Sequence, residues 1–249
     1  MTMLRDQLVR QGNTLFRWRT YVPLVVLPML FVALHHAGAL ERVAGERVDF
    51  YWKLLCLLIA GVGIAVRCVV GGFVPGGTSG RNTEEQLAAS LNTTGMYSVV
   101  RHPLYLGNFL CMLGVVLALE VWWFVVICCL AFWLYYERII LAEEEFLRQQ
   151  FGEEFEGWAS VTPAFIPRLG RWRAPTLRFS WKTMLRREFS GACLLAASFI
   201  LVKVLGDGFG KHEWTLDLST IIVFLAGLCA YLTLAILKRK TRLLHVEGR

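Results

Sequence analysis

The stretch GMYSVVRHPLYLGN, residues 95–108, runs directly into FLCMLGVVLALEVWWFVVICCLAFWLYY, residues 109–136, whose only charge is Glu120. One crossing of the hydrocarbon core takes about 20 residues, so this apolar run is long enough for a tight helical hairpin that turns near Glu120 and Val121. Arg101 and His102 then stand at the doorway of a membrane helix. Pro103 biases His102 away from the α region and itself suits the first turn of a helix, where a missing N–H costs nothing. Arg101-His102-Pro103 is therefore read as a helix-start device. Free N–H groups there, with Arg101 beside them, would hold an anion such as a carboxylate.

The rest of the chain agrees with a membrane setting. Its 249 residues are 56% hydrophobic with a mean hydropathy of +0.51, too apolar for an ordinary soluble domain. Six apolar runs, at about 20–40, 53–73, 104–119, 121–136, 190–206 and 217–237, predict an all-α polytopic transmembrane bundle of about six helices. The first run contains Pro23, Pro28 and the His35-His36 pair and is not followed by a small-residue cleavage site, so it is expected as a retained helix. Cys56, Cys68, Cys111, Cys128, Cys129, Cys193 and Cys229 all fall within these runs, without CxxC or Cys/His spacing. That argues against a disulfide framework and against a metal site.

Lys and Arg set the orientation. With a cytoplasmic amino terminus and an even number of spans, Arg5, Arg10, Arg17, Arg19, Arg81, Arg101, the stretch from Arg138 to Arg187 and Lys238-Arg239-Lys240 share one side; Arg42, Arg47, Lys53 and Lys211 face the other. This positive-inside bias accounts for the net charge of +7 through anionic phospholipid, and no nucleic-acid motif accompanies it. Both polar segments, about 74–103 and 137–189, then meet at the cytoplasmic face.

The first polar segment carries a glycine-rich loop, Gly76-Gly77-Thr78-Ser79-Gly80-Arg81-Asn82, and a short helix with Thr83 as its N-cap. The loop's donors and Arg81 suit a phosphate in composition, but there is no GxxxxGK[ST] pattern. The second segment begins where the fourth membrane helix leaves the bilayer, at Glu137, Arg138, Glu143, Glu144 and Glu145, with helical spacing to Phe151. Glu145, Glu153 and Glu154 read equally well as a solvated helix face. Glu143 and Glu144 instead lie across the hairpin from Arg101 and His102. An anion pocket at one helix start and paired carboxylates at one helix exit would suit a zwitterion.

Arg-His-Pro-x-Tyr-x-Gly opening a membrane helix, a Glu-Glu pair some 40 residues on, then Phe-Gly-x-x-Phe and a closing Pro-x-x-Ile-Pro resemble the isoprenylcysteine carboxyl methyltransferase and phospholipid methyltransferase superfamily. The resemblance covers about residues 89–168. It implies S-adenosylmethionine bound from the cytosol, with Tyr97, His102, Pro103, Leu104 and Tyr105 at cofactor-binding positions and Glu143 and Glu144 receiving the α-amino group. In the prenylcysteine enzymes a substrate-facing arginine lies four residues before the first of these glutamates. Here that position is Ile139, with Arg138 adjacent, and one residue turns a helix by about 100°.

Methyl transfer from a sulfonium depends on positioning and on excluding water. An anionic oxygen needs no general base, whereas an ammonium must first lose a proton. Arg101 and Arg138 are the candidate catalytic cations. Arg81, together with Arg67 inside the second apolar run, is the candidate acceptor contact. The expectation is O-methylation of a phosphate or carboxylate on a membrane lipid or lipidated substrate, with no metal. N-methylation of an aminophospholipid, an NADPH-dependent reductase resembling the sterol reductases, and a non-enzymatic scaffold are the alternatives. The chain divides into helices 1 and 2 (1–73), a core with helices 3 and 4 (74–169), and a basic interfacial segment with helices 5 and 6 (170–249). The last two helices complete the bundle, shape a lipid entrance or support a homo-oligomer.

Overall fold

A computed structural model describes residues 3–18, 21–75, 88–210, 212, 214, 217–241, 243 and 246. Among the described residues each of the six apolar runs is largely helical, and no strand occurs. Five candidate spans are long and apolar enough to cross a membrane: 24–44, 46–73, 122–151, 181–210 and 218–240. The architecture is an all-α polytopic bundle. The glycine-rich loop, Arg81 and Thr83 lie outside the described residues.

The first run is not one continuous helix. A 3-10 turn, Val22–Val26, has a proline in its first turn; α2 (Leu27–Leu34) begins again at Pro28; and Gly38, at φ +72°, precedes α3 (Ala39–Ala44). Each proline removes an N–H and favours a new helix start, which is why the run is segmented. Before it lies α1 (Leu4–Arg17), an amphipathic helix that a search for apolar runs does not find. It packs on the fourth membrane helix so closely that a side chain at Gly12 would run into the Arg138 carbonyl.

The centre is built from α4 (Glu46–Phe73) and α5 (Pro103–Leu117). With 15 residues, α5 rises only about 22 Å, less than the hydrocarbon thickness. It compensates by close packing against α4 through Gly63, Gly107 and Gly114, where small residues let the backbones approach. After the expected turn, which holds Glu120 at φ +62°, comes α6 (Trp122–Phe151). Its 30 residues reach about 45 Å, so its last turns project beyond the bilayer. Those turns carry Glu143 and Glu144.

Gly152, at φ +52°, breaks that helix from α7 (Glu153–Val161), and α8 (Trp181–Gly210) and α9 (Leu218–Lys240) close the chain. The basic interfacial segment is shorter than expected, because Trp181 to Phe189 already form the first turns of α8. At the opposite end, Glu120 Oε2 accepts the Leu40 amide at 2.8 Å and Lys53 bonds Asp49 at 2.7 Å, fastening the hairpin turn to α3 and α4. Ala33, Leu34, Val116, Leu119, Phe124 and Cys128 form a buried apolar cluster beside it.

Candidate functional site

Residues 95–102 are fixed before any side-chain chemistry begins. Gly95, at φ +60°, donates its amide to the Arg173 carbonyl at 2.9 Å, and Met96–Ser98 make a 3-10 turn. Val99 and Val100 follow, both fully buried. The Arg101 and His102 amides donate to Pro163 O at 2.8 Å and Ala164 O at 3.3 Å, while Arg168 N returns to Val99 O at 2.9 Å. The closing Pro-x-x-Ile-Pro stretch is thus laced to the helix start. The Arg101 and His102 amides thus have carbonyl partners and are not among the free N–H groups expected at the helix start.

Four charged groups meet here. His102, 6% exposed, caps α5, and its two ring nitrogens face two neighbouring carboxylates of α6: Nδ1 lies 3.5 Å from Glu143 Oε2 and Nε2 lies 3.0 Å from Glu144 Oε1. The Arg101 guanidinium approaches the same Glu144 oxygen at 3.2 Å. The Arg101 Nε is buried and has no hydrogen bond among the described residues. Tyr105 stacks on His102 with centroids 5.7 Å apart and planes 13° apart, and Tyr136 lies 4.7 Å from Tyr105.

Burial works against an imidazolium at His102, but hydrogen bonds and charge from Glu143 and Glu144 outweigh it and raise the pKa to about 8. A histidine whose folded pKa exceeds its unfolded value stabilises the protein fully below the unfolded value, near 6.5, and loses that contribution as pH rises through the folded one. Thermal unfolding in detergent is therefore expected to show about 2 kcal/mol less stability at pH 9 than at pH 6. A His102→Gln variant should lack that slope; an equal slope in the variant would assign it elsewhere.

The other sequence candidates are dispersed. Pro103 and Leu104 form the first turn of α5, and Tyr97 offers its carbonyl to Trp158 Nε1 at 3.0 Å. Arg138 is turned to α1: its Nε donates to Gln11 Oε1 at 3.0 Å and its NH1 to Leu134 O at 2.5 Å. The neighbouring Ile139, rather than Arg138, occupies the buried face, at 1% exposure. Glu145 likewise leaves the cluster for Arg5 at 2.6 Å and Arg148 at 3.0 Å. Arg67 is already paired with Glu188 at 2.7 Å. Glu188 escaped the sequence reading, yet a lone arginine in an apolar helix calls for a nearby carboxylate.

A cavity of about 640 Å³ opens beside the 95–102 segment, lined by Ser98, Trp158, Thr162, Arg171, Trp172 and Arg173 among others. Among the described residues, no group of three or more His, Cys, Asp or Glu side chains could hold a metal ion.

Residues 75–154, which span the helix start and the glutamate pair, match the phospholipid methyltransferase family model. A nickel-cobalt-cadmium resistance protein, NccN, of Alcaligenes xylosoxydans xylosoxydans is 32% identical over 63% of this chain and 66% of its own length. A cobalt-zinc-cadmium resistance protein, CzcN, of Cupriavidus metallidurans is 34% identical over 63% of this chain and 64% of its own. The chain thus spans just under two thirds of these two relatives. A probable protein-S-isoprenylcysteine O-methyltransferase of Oryza sativa is 30% identical over 57% of this chain and 75% of its own length. No solved structure is significantly similar.

Proposed function

Because the chain belongs to the superfamily of isoprenylcysteine carboxyl and phospholipid methyltransferases, integral membrane proteins, we propose that it methylates an acidic, membrane-borne acceptor at the Arg101, His102, Glu143 and Glu144 cluster. The observation that carries this reading is the double grip on His102. With a carboxylate at each nitrogen, the imidazole is held as imidazolium below about pH 8. Protonated, it is a poor base for an ammonium acceptor. An acceptor that is already an oxyanion, a phosphate or a carboxylate of a lipid or lipidated substrate, needs no such base.

The cluster also suits the zwitterionic end of S-adenosylmethionine. Two cations and two carboxylates balance, so a zwitterion adds no net charge. Glu143 and Glu144 are acceptors for an ammonium, and the buried, unbonded Nε of Arg101 is a donor for a carboxylate. Tyr105 and Tyr136 provide aromatic faces for a cation. S-adenosylmethionine supplies an electrophilic methyl group when bound. The chain's own contribution is to orient through the lacing of residues 99–102 to 163–168, and to exclude water through buried Val99, Val100 and Ile139.

Two experiments test the reading. S-adenosylhomocysteine at about 100 times its Kd should stabilise the detergent-solubilised protein by about 2.7 kcal/mol, and NADPH should not. Stabilisation by NADPH alone would favour a reductase. With methyl-labelled S-adenosylmethionine and total membrane lipid, the label should appear as an ester; a labelled amine would move the protein to N-methylation.

Sidedness is tested separately. In a cysteine-depleted background, Ser160→Cys at the end of α7 should react with an impermeant thiol reagent from the cytoplasmic side only. Val43→Cys, at a position 87% exposed in α3, should react from the opposite side only. Labelling of both from one side would refute the orientation.

A further inference from the structure

The last third of the chain supplies a charge to the centre of the bundle. Glu188 is 5% exposed and sits two turns into α8; its Oε2 accepts from Arg67 Nε at 2.8 Å and NH2 at 2.7 Å. The Arg67 NH1 reaches Asn108 Oδ1. That contact fixes which way the amide points, so Asn108 Nδ2 donates to the Tyr136 hydroxyl at 3.2 Å. Tyr136 lies against Tyr105, and Tyr105 stacks on His102. One continuous path thus runs through α8, α4, α5 and α6 to the charged cluster.

Its backbone is built for the purpose. The Arg67 stem occupies the space a side chain at Gly107 would need, since a Cβ there would stand 2.7 Å from Arg67 Cγ. The start of α8 is also fixed to the end of α4, where Ser180 N donates to Gly72 O at 2.9 Å. A charged pair within apolar helices is costly unless its geometry is good and its remaining donors are satisfied. Here three of the guanidinium's five N–H groups go to Glu188 and Asn108, and its charge is already matched by the Glu188 carboxylate.

We infer that Arg67 and Glu188 are a positioning pair: through Asn108 they set the Tyr136 phenol, so that α8 holds the aromatic wall of the His102, Glu143 and Glu144 cluster. The inference rests on the proposed function only for what that wall contacts. Arg67 is a support of the site rather than a ligand of its acceptor. On this inference α8 is part of the site's construction.

The test uses the full chain in detergent with 3-fluorotyrosine placed at position 136, and reads its fluorine resonance together with S-adenosylhomocysteine affinity by calorimetry. Glu188→Gln and Arg67→Lys should each displace the resonance and weaken the affinity by about three- to thirtyfold. Arg67→Lys keeps the ion pair and the fold, but a point charge cannot bond Glu188 and Asn108 together as the planar fork does. A resonance unmoved by both variants would overturn the inference, whatever the wild type binds. A displaced resonance with unchanged affinity would also overturn it, because the wall would then not matter to the site. Absence of binding by the wild type would count against the methyltransferase reading, and the fluorine measurement would still decide the positioning pair.

Discussion

Replacing Glu143 and Glu144 together by glutamine will weaken S-adenosylhomocysteine binding by about 100-fold or more while the protein stays folded. Each carboxylate offers a charge-assisted hydrogen bond worth about 1.5–3 kcal/mol, so losing two corresponds to at least two decades of affinity. Glutamine preserves shape, and both positions lie in the projecting end of α6, where water can solvate the amides. The same variant removes what raises the His102 pKa, leaving burial unopposed, so that value should fall below its ordinary 6.5. The loss of stability between pH 6 and 9 should vanish with it. Calorimetry and a pH series of unfolding curves read both effects, with size exclusion as the control for folding. Affinity within about threefold of wild type would take the glutamates out of the ligand site.

The second large effect is expected at the crossing of α4 and α5. A Cβ at Gly63 would stand 2.7 Å from both Cys111 N and Gly107 O, and one at Gly114 would stand 2.5 Å from Cys56 O and 2.7 Å from Ala60 Cβ. Most of these obstacles are backbone, which cannot rotate aside. Gly63→Leu should therefore force the helices apart and cost about 3 kcal/mol, the upper end for an overpacked contact. Because α5 carries His102 at its start, the displacement should also abolish ligand binding. Gly61→Leu is the control, since nothing lies within 4 Å of its Cβ and a leucine there meets open space. Equal unfolding temperatures for the two variants would contradict the close packing.

Much of the charged cluster was legible from local pattern. The proline after His102 marks a helix start by its own covalent geometry. The glutamates follow a long apolar run at the point where a helix must leave the bilayer, and that position is set by length alone. Both statements hold for any tertiary arrangement. For the same reason the hairpin turn at Glu120 could be placed from hydropathy.

Other features depended on partners remote in sequence. The acceptors of the Arg101 and His102 amides, Pro163 O and Ala164 O, lie some sixty residues away, beyond the reach of a local pattern. Arg138 looked like a site cation because helical spacing gives the step between residues but not which face is buried. Packing of α1 against Arg138, through Gly12, Gln11 and Tyr135, turned it away and left Ile139 inside. Arg67 could be recognised as a costly charge, yet whether it met a ligand or a carboxylate required α8 to be placed beside α4.

The membrane class, the hairpin, the helix start at Pro103 and the two acidic residues opposite it follow from local pattern, because apolar length and proline geometry act over a few residues. How each cation is partnered depends on packing between distant helices. Arg101 meets Glu144 and still keeps a buried Nε without a hydrogen bond among the described residues, while Arg67 is paired with Glu188 and Arg138 is bonded to Gln11. Whether a charge is available for chemistry is a matter of what lies within about 4 Å of it in low dielectric, and in this bundle those neighbours come from helices more than a hundred residues apart.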